Sequence, residues 1–314
     1  MAVIQIVGNQ SGAGKTSVAA ALLVTASKAG NQAAYYKPFS DERTADSDVT
    51  FMSGLLESIG GPAAPAPGNK SDSGELSTAQ SEVSRLESEA GIVIIDGPDA
   101  STPYGIPSKV ILVHRGPQEA VAESVSSAGS DLAAVVVNAV PIHRRDEVAR
   151  GLAGQSVPVA VIPESRGMLT VTVGQLAEHL GGQWVLDPVN ADAPIERFMI
   201  GGNIMDEGPT YFGRYANQAV ITRVERPDIQ MASMCDKTCC LVLTGPGDPS
   251  DYIKSEALKR DVPLIQVRTN TLDTADALAG LLDKADARTA AKADHFAGLL
   301  ETYLGAEGLE QLLS

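Results

Sequence analysis

The sequence predicts an α/β protein: a parallel-sheet domain with a phosphate-binding turn, followed by a smaller α/β domain. Three observations lead there. Short, near-continuous apolar runs alternate with helix-like stretches, which suits a parallel sheet covered on both faces. A glycine-rich segment, GNQSGAGKTS at 8–17, joins the first apolar run to an Ala/Leu-rich one. The chain has 314 residues, 44% hydrophobic and 20% charged, which is long enough for two packed units and too apolar for a disordered one.

In chain order, AVIQIV (2–7), AAYYK (33–37), GIVIID (91–96), KVILV (109–113), LAAVVVN (132–138) and VPVAVIP (157–163) are the buried strands expected of the first domain. TSVAAALLVTASKAG (16–30) is its first helix, with Gly30 as the stop. GGPAAPAPGNKSDSG (60–74) is expected to be a mobile surface loop. TVGQLAEHLGG (172–182) reads as a later helix ending in a glycine pair. VLDPVNADAPIE (185–196), with two prolines and several turn formers, reads as the interdomain linker, so the domains are drawn at 1–187 and 195–314. In the second domain QAVITR (218–223), CCLVLTG (239–245) and PLIQVR (263–268) are strands separated by helices. The tail from Asp283 to Leu313 reads as helix, with Phe296, Leu299, Leu300 and Tyr303 at helical spacing. Its expected role is packing on its own domain, with a dimer contact as the alternative. No internal repeat is evident.

Composition narrows the function classes. The net charge is −15, from 24 basic and 39 acidic residues, and no basic block occurs, which disfavours nucleic acid as a partner. No apolar run is long enough to span a bilayer, and a strand-like segment follows Met1 without a signal sequence. A cytoplasmic protein with no membrane partner is expected. Cys235, Cys239 and Cys240 all lie in MCDKTCC, with no fourth ligand nearby and all four histidines distant. Cys239 and Cys240 open a strand-like run and read as small hydrophobes.

The opening turn carries the chemistry. A strand ends at Val7, glycines follow at positions 8, 12 and 14, and a helix starts near Lys15. Glycine there permits backbone angles and close approaches that a Cβ would block, so that N–H groups and the helix N-terminus converge on one anion. Gly8, Asn9, Gln10, Ser11, Gly12, Ala13, Gly14, Lys15, Thr16 and Ser17 are the candidate nucleotide cradle. Lys15 supplies a positive charge for the terminal phosphates, and the Thr16 hydroxyl suits Mg²⁺. The expected cofactors are ATP and Mg²⁺. Asp96, an acid after four apolar residues at a strand's carboxyl end, lies where Mg²⁺ sits in such sheets.

The spacing is unusual. The common P-loop has four residues between its first glycine and GK[ST]. Here position 9 is Asn9, and five residues separate Gly8 from Gly14-Lys15-Thr16. This resembles dethiobiotin synthetase and its relatives, ATP-dependent carboxylate- and carbamate-activating P-loop enzymes. The resemblance extends through YYKPFS, ADSDVTFM, IVIIDGPDA, VVVNAV and VIPES. It implies that Lys37 works on the substrate and phosphate side, and that Asp48 and Asp96 serve Mg²⁺, Asp96 replacing the usual glutamate. It implies further that Asn138 reads adenine and that the backbone around Pro163 and Glu164 frames the base. The residues alone leave alternatives: a solvated strand-end Lys37, a helix-capping Asp48 and a turn-closing Asn138.

One stretch departs from that family. DGPDASTPYGIPSK lacks the glycine-rich substrate loop and reaches the next strand after about a dozen residues, with scarcely room for a helix. Nucleotide binding is therefore expected and dethiobiotin synthesis is not.

The second half, from FMIGGNIMDEGPTYFG through QAVITRVERPD and CCLVLTGPGDPS to DVPLIQVRTNTLDT, resembles the DRTGG domain. Glu225-Arg226 stands for Asp-Arg, and Thr244-Gly245-Pro246 for Thr-Gly-Gly. The combined resemblance implies a P-loop NTPase domain followed by a regulatory or ligand-sensing one, an arrangement found ahead of phosphotransacetylases, and a homodimer. No phosphotransacetylase catalytic domain occurs in these 314 residues. Arg226, Asp228, Thr244 and Gly245 sit at the carboxyl ends of strands, where open α/β sheets present ligand crevices. They form a candidate second ligand site, for a small molecule or a protein partner. An Arg226–Asp228 ion pair is the alternative.

Three functions fit. One is a nucleotide-dependent regulatory protein with slow hydrolysis. Another is an ATP-dependent ligase or carboxylase acting on a small amine or carboxylate, with Lys15 and Lys37 as catalytic groups. The third is an interaction module with the P-loop as scaffold, against which the intact Lys15, Thr16 and Asp96 weigh.

Overall fold

The computed structural model describes residues 2–42, 46–68, 75–116, 118–202 and 208–314. Residue 45 of ADSDVTFM, 69–74 of the expected surface loop and 203–207 of the FMIGGNIMDEGPTYFG stretch lie outside the described residues. The chain forms two compact units, one of Met1–Met168 with Ala287–Ser314, the other of Leu169–Asp286.

In the first unit the chain runs β1 (Ala2–Gly8), α1 (Lys15–Lys28), β2 (Ala33–Tyr36), α2 (Ser47–Ile59), α3 (Glu75–Ala90), β3 (Ile92–Asp96), β4 (Lys109–His114), α4 (Val121–Ala128), β5 (Leu132–Val140), α5 (Arg145–Gly151) and β6 (Val159–Pro163). The six strands form one parallel sheet in the order β2-β3-β1-β4-β5-β6. All six apolar runs read from the sequence are in it. Their continuous hydrophobicity follows from burial on two faces. Ile4, Ile6, Ile94 and Val113 pack toward α1, while Val93 and Ile95 face the α3 side with Val83 and Leu86. Because β1 is central and β2 and β3 lie to one side, the chain switches direction beside β1, the place where such sheets open a crevice at their carboxyl ends. Within the Pro/Gly-rich stretch, Gly68 is tied back to the chain: its N–H donates to Pro38 O, and its carbonyl accepts from Ser40 N.

The second unit contains β7 (Val171–Thr172), α6 (Val173–His179), β8 (Gln183–Trp184), β9 (Pro194–Ile195), β10 (Arg197–Gly201), α7 (Gly208–Phe212), β11 (Gln218–Arg223), α8 (Pro227–Ser233), β12 (Thr238–Thr244), α9 (Asp251–Lys259), β13 (Leu264–Val267) and α10 (Thr271–Asp276). Its sheet has the order β10-β11-β12-β13-β8, parallel except for β8. The expected boundary is corrected here. Residues 169–187 belong to this unit, because the α6 side chains Val173, Leu176 and Ala177 are buried with Ile221, Val242 and Ile265. The stretch 185–196 is therefore no linker. It connects β8 to β9, and β9 pairs antiparallel with β7.

The tail corrects the second boundary. After Asp286 the chain re-enters the first unit as α11 (Ala290–Leu304) and α12 (Ala306–Leu313). Phe296 and Leu300 are buried in the same core as α1, and Leu299 and Tyr303 are partly buried there. The cause lies in α1. It buries Val18, Ala19, Ala20, Ala21, Leu22, Leu23 and Ala26, residues that go all round the helix, so the sheet alone cannot cover it. The tail supplies the second cover.

No described helix is long and apolar enough to cross a membrane. Cys240 is buried in β12, and burial pushes its thiol well up; burial likewise pushes Cys239 to about 11. Raised pKa values keep both in the thiol form at neutral pH.

Candidate functional site

The glycine-rich turn lies between β1 and α1, with Gly14 as the helix N-cap at φ 109°. Only glycine fits there. A Cβ would need a left-handed backbone and would lie 2.3 Å from Asn138 Nδ2. Asn138, from β5, donates that Nδ2 to Ala13 O at 2.9 Å and so props the loop from beneath. On the β4 side, Asn9 and Arg115 hold each other: Arg115 N donates to Asn9 Oδ1 at 2.9 Å, and Asn9 Nδ2 to Arg115 O at 3.0 Å. Arg115 Nη1 also donates to Gly12 O at 3.0 Å. The residue that stands where the common P-loop has glycine is thus a brace. Gln10, Ser11 and Gly12 form the exposed crest, while Ala13 and Ser17 are buried. At the start of α1 the first N–H groups have no intrahelical acceptor and point together at the crest.

Charged groups gather behind the loop. Ile6 of β1 registers with Asp96 of β3, which brings Asp96 beside the turn. Lys15 Nζ lies 3.8 Å from Asp96 Oδ1 and pairs directly with Asp99 Oδ1. Its side chain is only 14% exposed, so this lysine is more enclosed than an ordinary surface charge. Asp96 accepts the Tyr35 hydroxyl at 3.0 Å on Oδ2, while Oδ1 has no hydrogen-bond donor among the described residues. Burial pushes the Asp96 carboxyl up to about 6, against the attraction of Lys15 and Lys37.

A second knot lies alongside. Lys37 Nζ contacts Asp46 Oδ2 and Asp48 Oδ2, each at 2.8 Å, and against the cost of burial these carboxylates raise its pKa further. Asp48 Oδ1 accepts the Thr16 hydroxyl at 3.1 Å and Arg288 Nε at 2.8 Å. Despite burial, the hydrogen bonds from Lys37 and Arg288 hold the Asp48 carboxyl below the usual range. Asp46, not Asp48, caps α2, accepting the N–H groups of Asp48 and Val49 at 3.0 Å.

Lys15, Thr16, Lys37, Asp48 and Asp96 therefore come together at the carboxyl ends of β1, β2 and β3. Asn138 stands under the loop. Pro163 ends β6, and the exposed Glu164 follows, its N–H bonded to Val140 O at 2.9 Å. Sequence reasoning missed Tyr35, Asp46, Asp99, Arg115 and Arg288. Asp46 had a signal, an acid just ahead of a helix; Arg288 had none, because it arrives from 240 residues away. Among the described residues no three His, Cys, Asp or Glu side chains converge as a metal cage. Mg²⁺ at nucleotide sites needs no such cage, being held by one or two carboxylates and the phosphates. The donors present fit it: a hydroxyl, a low-pKa carboxylate, and Asp96 Oδ1, which has no hydrogen-bond donor among the described residues.

In the second unit the four candidates serve different contacts. Arg226 makes a two-pronged ion pair with Asp228, Nε to Oδ1 at 2.9 Å and Nη2 to Oδ2 at 2.7 Å. The buried Thr244 hydroxyl lies 2.9 Å from that of Thr271. Gly245, at φ 103°, donates its N–H toward Val267 O and Thr269 O.

This unit matches a known family: residues 175–281 fit the model of the DRTGG domain. They form a DRTGG domain. The DRTGG domain thus follows a first unit that has the P-loop NTPase-like fold, with a parallel sheet and the glycine-rich turn between β1 and α1. Among solved structures, the chain is similar to the CBS and DRTGG domains of the regulatory region of Clostridium perfringens pyrophosphatase, complexed with the activator diadenosine tetraphosphate. Identity is 15% over 49% of this chain and 74% of that one, with a TM-score of 0.31. It is similar to a chain of the MinC:MinD cell division protein complex of Aquifex aeolicus, at 14% identity over 54% and 84% of the two chains and a TM-score of 0.40. Cobyrinic acid a,c-diamide synthase from Mycobacterium smegmatis, with bound ATP analog and magnesium, matches at 14% identity over 53% and 88%, with a TM-score of 0.36.

Proposed function

We propose that the first unit binds ATP with Mg²⁺ and that the protein is a nucleotide-dependent regulatory protein with slow hydrolysis, the DRTGG domain being its sensing part. The observation that carries this reading is the convergence of Lys15, Thr16, Asp48 and Asp96 at one glycine-rich turn, which brings two carboxylates beside its lysine and threonine. In it Lys15 faces the terminal phosphates, Thr16 and Asp48 hold Mg²⁺, and Asp96 completes the metal's surroundings directly or through water. When bound, Mg²⁺ neutralises charge on the phosphate oxygens. Asn138 supports the loop through Ala13 O, and its assignment to the adenine, with Pro163 and Glu164 framing the base, rests on the resemblance.

Slow hydrolysis follows from the neighbourhood. Lys37 is held by Asp46 and Asp48, and the β3–β4 connection carries no helix and no glycine-rich substrate loop. A metabolite panel tests this: turnover stimulated strongly by one amine or carboxylate, and dependent on Lys15, would establish the ligase instead. A homodimer rests on the resemblance alone, since Phe296 and Leu300 of the tail are buried inside the first unit.

Asp99 restrains the lysine that this reading assigns to phosphate. Lys15 must leave Asp99 to face a nucleotide, and an ion pair with one exposed partner is worth about 0.2–1 kcal/mol. Asp99→Ala is expected to tighten Mg·ATP binding by up to about fivefold, read by fluorescent-nucleotide titration. Unchanged affinity would mean that Asp99 exerts no restraint.

A further inference from the structure

Asp48 Oδ1 is shared. The Thr16 hydroxyl donates to it at 3.1 Å and Arg288 Nε at 2.8 Å. Lys37 occupies the other oxygen. Arg288 lies beyond the 175–281 match and belongs to the first unit, with only Ala287 between it and the last residue of the DRTGG-containing unit, Asp286. Its position is built: Thr289 caps α11 by accepting Lys292 N at 3.2 Å, and α11 shares its core with α1, the helix that carries Lys15 and Thr16. The arginine is thus fixed at one end to the helix whose first turn forms the phosphate cradle. Its side chain is 35% exposed, so the guanidinium lies at the solvent edge of the site.

On the reading above, Thr16 and Asp48 are the residues that hold Mg²⁺. Arg288 and the metal then claim the same carboxylate oxygen, and two cations on one oxygen repel. On the same reading a guanidinium displaced there would face the terminal phosphates, whose oxygens its planar fork matches better than any other side chain. We propose that Arg288 is a further residue of the nucleotide site, one that yields Asp48 Oδ1 to Mg²⁺ and turns its guanidinium to the terminal phosphate, so that the site distinguishes ATP from ADP. This rests on the P-loop reading. It assigns Arg288 a place comparable to that of an arginine supplied in cis to a phosphoryl group.

The test compares Mg·ATP and Mg·ADP affinities of the full chain for wild type, Arg288→Ala and Arg288→Lys, with Lys15→Ala as the blank and circular dichroism to verify folding. Arg288→Ala is expected to weaken Mg·ATP about tenfold and Mg·ADP less than twofold, the loss typical of one charge-assisted hydrogen bond. Arg288→Lys, which keeps the charge without the fork, should retain part of the ATP preference; it carries the same ratio if the alanine variant does not fold. Parallel losses for ATP and ADP would make Arg288 a brace for Asp48 and overturn the proposal, as would an unchanged ratio. In both cases Lys15-dependent binding would leave the P-loop reading intact. Absence of Lys15-dependent binding in the wild type would overturn both.

Discussion

Lys15→Ala is expected to remove most of the stabilisation that Mg·ATP is proposed to confer on this protein. A ligand that binds only the folded state stabilises it by RT ln(1 + [L]/Kd), about 2.7 kcal/mol at a hundredfold excess over Kd. The ammonium of Lys15 is enclosed between Asp96 and Asp99 and adjoins the glycine-rich turn; on the proposed reading its loss would remove a charge-assisted contact to phosphate. A hundredfold weaker affinity would leave about 0.4 kcal/mol at the same nucleotide concentration. The nucleotide-free protein changes as well. Lys15 is among the groups that favour ionised Asp96, so without it the buried carboxyl protonates more readily and settles into the neutral form. The fold survives, but each variant must be compared with its own nucleotide-free melting curve. Equal nucleotide-induced shifts in wild type and Lys15→Ala would sink the phosphate reading.

The parts of this molecule legible in the sequence were those with a local physical cause. A parallel strand buried on two faces has to be apolar throughout, and so all six strands of the first sheet could be found as runs. The phosphate turn was legible because its glycines, Lys15 and Thr16 are contiguous. Asp96 was legible as an acid closing an apolar strand. What was misread depended on distant partners. The prolines and turn formers of 185–196 look the same in a linker and in the β8–β9 connection; only the burial of Leu176 and Ile195 in one core tells them apart. The tail was assigned to the wrong unit although α1 carried the clue, being too apolar all round to be covered by a sheet alone. Arg288 and Asp99 left no sequence signal, since each acquires its meaning from a charge brought near by folding.

Asp96→Asn is expected to raise the stability of the nucleotide-free protein at neutral pH while weakening its response to Mg²⁺. Asp96 is 4% exposed, its Oδ1 has no hydrogen-bond donor among the described residues, and burial lifts its pKa from 3.8 to about 6. The sign follows from proton counting. Between these two values the unfolded chain has released the proton that the native state still holds, so stability falls as pH rises from about 4 to about 6 and then levels off. Two pKa units correspond to about 2–3 kcal/mol, lost in full above the folded pKa and absent below the unfolded one. Asparagine keeps the shape and an acceptor for the Tyr35 hydroxyl, but it has no charge to bury. Denaturant midpoints across pH 4–8 should therefore converge for wild type and variant at the acid end and separate toward neutrality, with the variant the more stable. With nucleotide the order of benefit is expected to reverse: the carboxylate that is costly without a cation is the one a divalent cation would compensate, whereas on the proposed reading the loop amides would hold phosphate without it. The variant's affinity for ATP should accordingly depend less on Mg²⁺ than the wild type's. Parallel pH profiles would show that Asp96 carries no penalty, and overlaid Mg²⁺ titrations would reduce it to a strand-end acid with no part in the metal site.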